Sequence, residues 1–231
     1  MSTLLNTGFD EHDDAQWLPL FGLITASLIV FLLISLSLLP VSPQQISQRY
    51  DARSAVYDAL LEELSGDLQR WNASLDRETL SVTFSNQPDE LFKAPKNQLT
   101  AHFRQALTEF YPRYTAVLHS FGAVVEEVRI EGHTSSDWGE MPAGRAYFLN
   151  LELSQRRVRS VLTFLYAIAD GDSGQDWIRS KVSAVGLSSA KPVLDQWGME
   201  DAERSRRIAF RAVIDGAAGD GPGVTERSHE S

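Results

Sequence analysis

The sequence predicts an α+β protein: a single N-terminal transmembrane helix, then a β-α-β-α-β-β sandwich domain. Three observations predict it. Residues 18–40 contain no charged side chain. After them, apolar residues recur alternately every second position and every third or fourth position, as in strands followed by helices. The whole chain of 231 residues is 43% hydrophobic and 23% charged, a balance that supports a packed domain rather than a disordered chain.

The apolar run comes first. At 1.5 Å rise, about 22 helical residues reach roughly 33 Å, enough for a hydrocarbon core of about 30 Å. Trp17 stands at its entry, and Pro40 and Pro43 follow its exit. A cleaved signal peptide would need a basic leader, a shorter core and a small-residue cleavage site. Residues 1–16 instead carry Asp10, Glu11, Asp13 and Asp14 and no Lys or Arg. The chain therefore reads as a short acidic tail (1–16) and an uncleaved span (17–40). Arg49 and Arg53 follow the span, so the positive-inside rule alone favours a C-terminal part inside the cell.

Residues 44–75 read as helix within a helical linker (41–77). Tyr57, Leu61, Leu64, Leu68 and Trp71 alternate by four and three. That spacing fits a short coiled coil pairing two copies, and equally a single amphipathic helix packed on its own domain. The polar run 72–77 marks a domain boundary.

The remaining elements follow in order. Residues 80–85 alternate as a strand. Leu99, Phe103, Leu107, Phe110, Tyr114 and Leu118 form one helical face ending near Gly122. Residues 124–131 alternate again, with Val125, Val128 and Ile130 apolar. A polar loop covers 132–145. Residues 147–169 read as a helix with Val158, Val161, Leu162 and Leu165 on one face, and 182–186 and 208–214 as the last strands. The tail 216–231 has the composition of a disordered segment.

Composition excludes several functions. A net charge of −10 and a pI near 4.9 argue against a broad nucleic-acid surface. The lack of cysteine excludes a disulfide scaffold, thiol catalysis and cysteine-bound zinc. His12, His102, His119, His133 and His229 are scattered without metal-ligand spacing. No nucleophile elbow, phosphate loop or cofactor signature is present, so neither enzyme activity nor a cofactor is expected. His133 beside Glu131 and Glu140 offers a base with carboxylates, but reads better as a hydrogen-bonded residue at a strand end.

Three polar groups are candidates for a binding site. The loop Glu131-Gly-His-Thr-Ser-Ser-Asp leaves a strand end. Asn150, Ser154 and Arg157 recur on the following helix, with Ser154 and Arg157 three apart on one face. Arg206 and Arg207 precede the last strand. Convergence of Arg157 with Arg206 or Arg207 at the Gly132 loop would make a pocket for a small carboxylate, which Arg holds in a fork. The alternative is that these arginines form surface or structural ion pairs.

Gly132-His-Thr, Asn150-x-x-Leu153-Ser154-x-x-Arg157, Gly186…Pro192 and Arg206-Arg207-Ile208, in this order over residues 78–215, resemble the OmpA/MotB-type peptidoglycan-binding domain. The family pattern is roughly G-H-T-D, N-x-x-L-S-x-x-R-A, G-x-G…P and N-R-R-V-E. The resemblance implies the fold derived above. It also implies a ligand, the diaminopimelate of the peptidoglycan stem peptide, held by Arg157 with Thr134, Ser135, Asp137, Asn150, Ser154, Arg206 and Arg207. Two positions depart from the pattern. Ser135 stands where the family has Asp, with Asp137 two residues on as its substitute, and Ser205 stands where the family has Asn.

Residues 17–31, WLPLFGLITASLIVF, are similar to the span of MotB-type stator subunits. The whole chain most resembles the MotB-like B subunits of Zorya anti-phage systems. This resemblance implies a homodimer inside a five-fold ring of MotA-like multi-span partners in the bacterial inner membrane, with the N-terminus cytoplasmic and the C-terminal domain periplasmic, against the charge rule. Such spans carry a proton-exchanging carboxylate. Gly22 occupies that position here, and only Thr25, Ser27, Ser35 and Ser37 are polar within the run. A passive wall anchor without ion conduction is the competing reading.

Overall fold

In the computed structural model of the chain, residues 14–37, 43–86, 91–93 and 97–214 are described, with side chains for 21–35 and from 51 onward within them. Most of the acidic tail and the final segment 216–231 lie outside the described residues. The chain divides into two compact units, residues 1–47 and 48–231.

In the first unit, helix α1 (Asp14–Ser37) matches the apolar run. Its described side chains face solvent on every side: Phe21, Ile24, Leu28 and Phe31 are all more than half exposed. Among the described residues, no helix is long and apolar enough to cross a membrane. Side chains are described for only 15 residues of this helix, 21–35, about 22 Å of its length at 1.5 Å per residue.

The second unit opens with the larger part of helix α2 (Pro43–Leu68). Val56, Leu60 and Leu64 are fully buried in the domain core, while Leu61 is 38% exposed. The face turned inward is thus the Val56–Leu60–Leu64 stripe, one position off the seam expected through Tyr57 and Leu61. Polar contacts clamp the same end of α2 to helix α3 (Ala101–Ser120). Arg113 binds Glu63 and Asp67, each at 2.6 Å, and Arg70 bridges Asp67 and Glu109, also at 2.6 Å. Trp71 Nε1 donates to Glu109 Oε2 at 3.2 Å.

Helix α2 ends earlier than expected. Asn72 takes a left-handed φ of 49°, a conformation Asn tolerates better than most residues. The polar run expected as a boundary is instead an edge strand, β1 (Ala73–Asp76), paired antiparallel to β2 (Ser81–Ser85). A two-stranded hairpin, β3 (Phe92–Lys93) with β4 (Gln98–Leu99), then precedes α3. Thr100 caps α3 by accepting from Phe103 N.

Strand β5 (Val125–His133) leads into helix α4 (Ala143–Ile168), which starts four residues before the expected 147. A short helix that the periodicity did not mark, α5 (Gly171–Lys181), feeds β6 (Val182–Gly186). One turn of helix, α6 (Ala202–Ser205), precedes β7 (Arg207–Ile214). The main sheet has the order β1-β2-β7-β5-β6, antiparallel except for the parallel β5–β6 pair.

One sheet face packs on the helices. Val82 and Phe84 of β2, Val128 and Ile130 of β5, and Ile208 and Phe210 of β7 are buried with the apolar stripes of α3 and α4. Aromatic rings dominate the centre: Phe110 lies 5.1 Å from Phe84, 5.0 Å from Phe210 and 4.9 Å from Tyr114. The opposite sheet face carries the alternate residues and holds a 490 Å³ polar cavity lined in part by Glu131, His133, Lys191, Arg207 and Arg211.

Candidate functional site

The site forms where β5 ends, because the backbone there must approach α4 closely. A Cβ on Gly132 would lie 2.9 Å from Ser154 O and 2.6 Å from Val158 Cγ1, and one on Gly186 only 2.5 Å from Gln155 N. Both glycines are therefore fixed by packing. They bring the end of the β5–β6 pair against the middle of α4, where Ser154 and Arg157 project.

Ser188 ties these parts together. Its N–H donates to Ser154 Oγ at 3.1 Å, its hydroxyl donates to Tyr147 O at 2.8 Å, and its carbonyl accepts from Thr134 N at 3.0 Å. Ser188 is fully buried and has a left-handed φ of 52°. A non-glycine residue held there stores of order 1–3 kcal/mol of strain, which the surrounding bonds must offset. Sequence reasoning overlooked Ser188. The available signal was that the G-x-G pattern reads Gly186-Leu-Ser188 here, placing a serine where the turn calls for positive φ.

Thr134, Ser135, Asn150, Ser154 and Arg157 are all buried. Ser188 links the loop to the helix, since it accepts from Thr134 N and donates to Ser154 Oγ. Thr134 Oγ1 and Asn150 Nδ2 are buried without a hydrogen-bond partner, a state costing about 1–3 kcal/mol each. Arg157 is 5% exposed, and its guanidinium sits 4.8 Å from the centre of the Phe92 ring. The β3–β4 hairpin thus covers it with a cation–π contact.

Other expected members sit elsewhere. Asp137 is exposed, and its carboxylate accepts from Gly139 N at 2.9 Å, so it closes its own turn. Arg207 pairs in register with His133, while its neighbour Ile208 pairs with Gly132. Alternation along the strands puts Gly132 and Ile208 toward α4 and His133 and Arg207 on the opposite sheet face. Arg207 lines the cavity there and donates to Ser205 O at 3.2 Å and Lys191 O at 3.1 Å. The expected convergence of Arg157 with Arg207 does not occur, because a sheet separates them. Arg206 is half-buried with extended backbone and shares the parity of Ile208.

His133 and Glu131 are buried on the cavity side, with Nε2 and Oε2 3.3 Å apart. Burial lowers the pKa of His133, and the charges of Arg207 and Lys191 add to that against the Glu131 bond, so the ring is neutral near pH 7. Burial pushes the Glu131 carboxyl up, but the His133 hydrogen bond and the charges of Lys191 and Arg211 outweigh it and the net shift is down. This pair is a structural element of the strand end, as the sequence suggests for His133.

The sheet order β1-β2-β7-β5-β6 and the helices packed on one of its faces define an α+β domain with a polar cluster at the end of β5. Comparison with known proteins narrows the class. The chain is 39% identical over 211 residues to the Zorya protein ZorB of Escherichia coli, covering 88% of this chain and 89% of that one. The chain belongs to the ZorB family. No family model matches it. Among solved structures it is similar to the cell wall anchor of the T6SS from Pseudomonas aeruginosa (24% identity, 68% of this chain and 97% of that chain, TM-score 0.46). It is also similar to a MotB-like protein from Desulfovibrio vulgaris (18% identity, 69% and 92%, TM-score 0.46).

Proposed function

We propose that this chain is the wall-binding subunit of a stator-type inner-membrane complex in Zorya-like anti-phage defence. Helix α1 crosses the bilayer once, the N-terminus is cytoplasmic, and the domain from α2 onward stands in the periplasm. There it holds the diaminopimelate of a peptidoglycan stem peptide through Arg157, with Thr134, Ser135, Asn150 and Ser154 around it and Arg206 at the edge. Two copies act together inside a pentameric ring of a MotA-like multi-span protein. The chain contributes binding, not catalysis.

One observation carries this reading: Arg157, Thr134 and Asn150 are all buried, and Thr134 Oγ1 and Asn150 Nδ2 are buried without hydrogen-bond partners. An arginine offers a carboxylate two parallel donors, and an amide and a hydroxyl supply neutral contacts for a zwitterion. Since Arg157 is 5% exposed beneath Phe92, a ligand carboxylate reaches it only when the hairpin or the guanidinium moves. For the membrane, support comes from the 24-residue α1 and the exposed apolar side chains it carries between residues 21 and 34, the pattern of a helix with a nonpolar surround.

Gly22 favours a second reading, a wall anchor that conducts no ions through its own span. A Cβ at Gly22 meets nothing within 4 Å, so packing within the chain does not explain the glycine. Topology tests both readings. A periplasm-dependent reporter fused after Ser231 is expected to be active, and a cytoplasmic signal would sink wall binding. Co-purification of the full chain with a multi-span partner separates the two: recovery of a MotA-like ring supports the stator, and solitary purification supports the anchor.

A further inference from the structure

Trp197 is 74% exposed, the most exposed aromatic side chain among the described residues. It does not hang on a slack loop. Residues 193–201 form a hairpin closed by Asp201 N to Val193 O at 2.8 Å and Asp195 N to Met199 O at 2.8 Å. At its tip the Asp195 carboxylate accepts from Trp197 N at 2.9 Å and Met199 N at 3.0 Å, and Gly198 supplies a φ of 78°. Leu194 and Met199 on the same hairpin are 54% and 63% exposed, so the ring belongs to an exposed apolar tip, a surface feature that marks an interaction site.

The hairpin is fastened to the candidate site. Glu200, at the foot of its second strand, accepts from Ser136 N at 2.9 Å and from the Ser136 hydroxyl. Ser136 follows the buried Thr134 and Ser135 directly. Trp197 is therefore presented on a hydrogen-bonded hairpin whose foot is tied to the loop that carries Thr134 and Ser135. Its surroundings are acidic, with Asp195, Glu200 and Asp201 on the same hairpin, so an anionic lipid surface or a polyanion does not fit this tip.

We infer that Trp197 is a glycan-stacking platform, recognising a neutral N-acetylated hexopyranose of the glycan strand while the Arg157 site holds the attached stem peptide. The chemistry is direct. The axial C–H face of a pyranose ring is apolar and matches the flat face of an indole, and Trp adds contact area at little conformational cost. This inference rests on the wall-binding reading above and adds a second ligand moiety to it.

The test uses the full chain in lipid nanodiscs and two soluble probes: a GlcNAc-MurNAc tetrapeptide and the same tetrapeptide without sugars, both containing diaminopimelate. The wild type is expected to bind the sugar-bearing probe about tenfold tighter, the scale of one well-buried aromatic contact. Trp197→Ala is expected to abolish that difference and leave binding of the bare peptide unchanged. Trp197→Phe is expected to keep most of it, and Trp197→Leu, apolar but not flat, to lose it. Equal affinity of the wild type for both probes, or an unaltered preference in Trp197→Ala, overturns the glycan platform alone. Failure of the wild type to bind either probe overturns the wall reading and this inference with it.

Discussion

Ser188 N–H donates to Ser154 Oγ at 3.1 Å across 34 residues of sequence, and both residues are fully buried. This bond fixes the loop after β6 to the middle of α4. The same serine holds Thr134 through its carbonyl, so the two sides of the candidate site share one support.

Replacing Ser154 with Ala leaves a buried N–H without its acceptor. The expected loss is about 1–3 kcal/mol, read as a fall in denaturation midpoint. Ser188→Gly separates strain from bonding. It relieves the positive φ but loses the bond to Tyr147 O, so its stability is expected to lie within about 1 kcal/mol of the wild type. Ser188→Ala keeps the strain, loses the same bond and is expected to be the less stable of the two.

Gly186→Ala tests the close approach of β6 to α4. The new Cβ would sit 2.5 Å from the Gln155 backbone nitrogen, and neither backbone can yield without shifting the sheet against the helix. A loss of about 1–3 kcal/mol follows. Gly144→Ala serves as the control, since a Cβ there meets nothing within 4 Å. It is expected to leave the melting temperature unchanged or raise it slightly.

His133 predicts an acid sensitivity. Its folded pKa lies below the ordinary 6.5 because burial disfavours the imidazolium. Below that value the unfolded chain binds a proton that the folded chain resists, so stability is full above about pH 6.5 and falls as the pH drops through it. Glu131, also depressed, adds a second loss below its ordinary 4.5. Urea midpoints between pH 8 and 5 are expected to decline in the first window, and His133→Gln is expected to flatten that decline.

Phe92→Ala tests the cover on Arg157. It removes a cation–π contact worth about 0.5–2 kcal/mol and core packing with Phe103, 5.9 Å away. The variant is expected to be less stable. If the closed arrangement competes with ligand, its folded form is also expected to bind stem peptide about 2- to 30-fold tighter. Weaker binding by the folded variant would mean that Phe92 belongs to the ligand's contact surface.

The inner strands and the two helices packed on them were readable because their apolar residues recur at strand or helix spacing. Val128 and Ile130 mark β5, and Phe103, Leu107 and Phe110 mark α3. Helix α5 was not: GDSGQDWIRSK has two glycines and buries only Ile178. Strand β1 was hidden because it is a polar edge strand of four residues. The α2 face was ambiguous because Val56-Leu60-Leu64 and Tyr57-Leu61-Leu64 both satisfy helical spacing, and only packing against α3 selects the first. Arg157, Asn150 and Ser154 were legible from their shared helix face. Arg207 was misplaced because sequence adjacency to Arg206 hides the strand alternation that sends neighbours to opposite faces.

The central claim is that Arg157 holds a carboxylate of the wall. The most direct measurement is binding of the full chain in nanodiscs to peptidoglycan sacculi, wild type against Arg157→Ala and Arg157→Lys. Loss of a desolvated arginine–carboxylate bond is expected to weaken binding by about 2–3 kcal/mol, roughly 30- to 150-fold, with Lys restoring only part of it. Sacculus binding that is unchanged in Arg157→Ala would contradict the account.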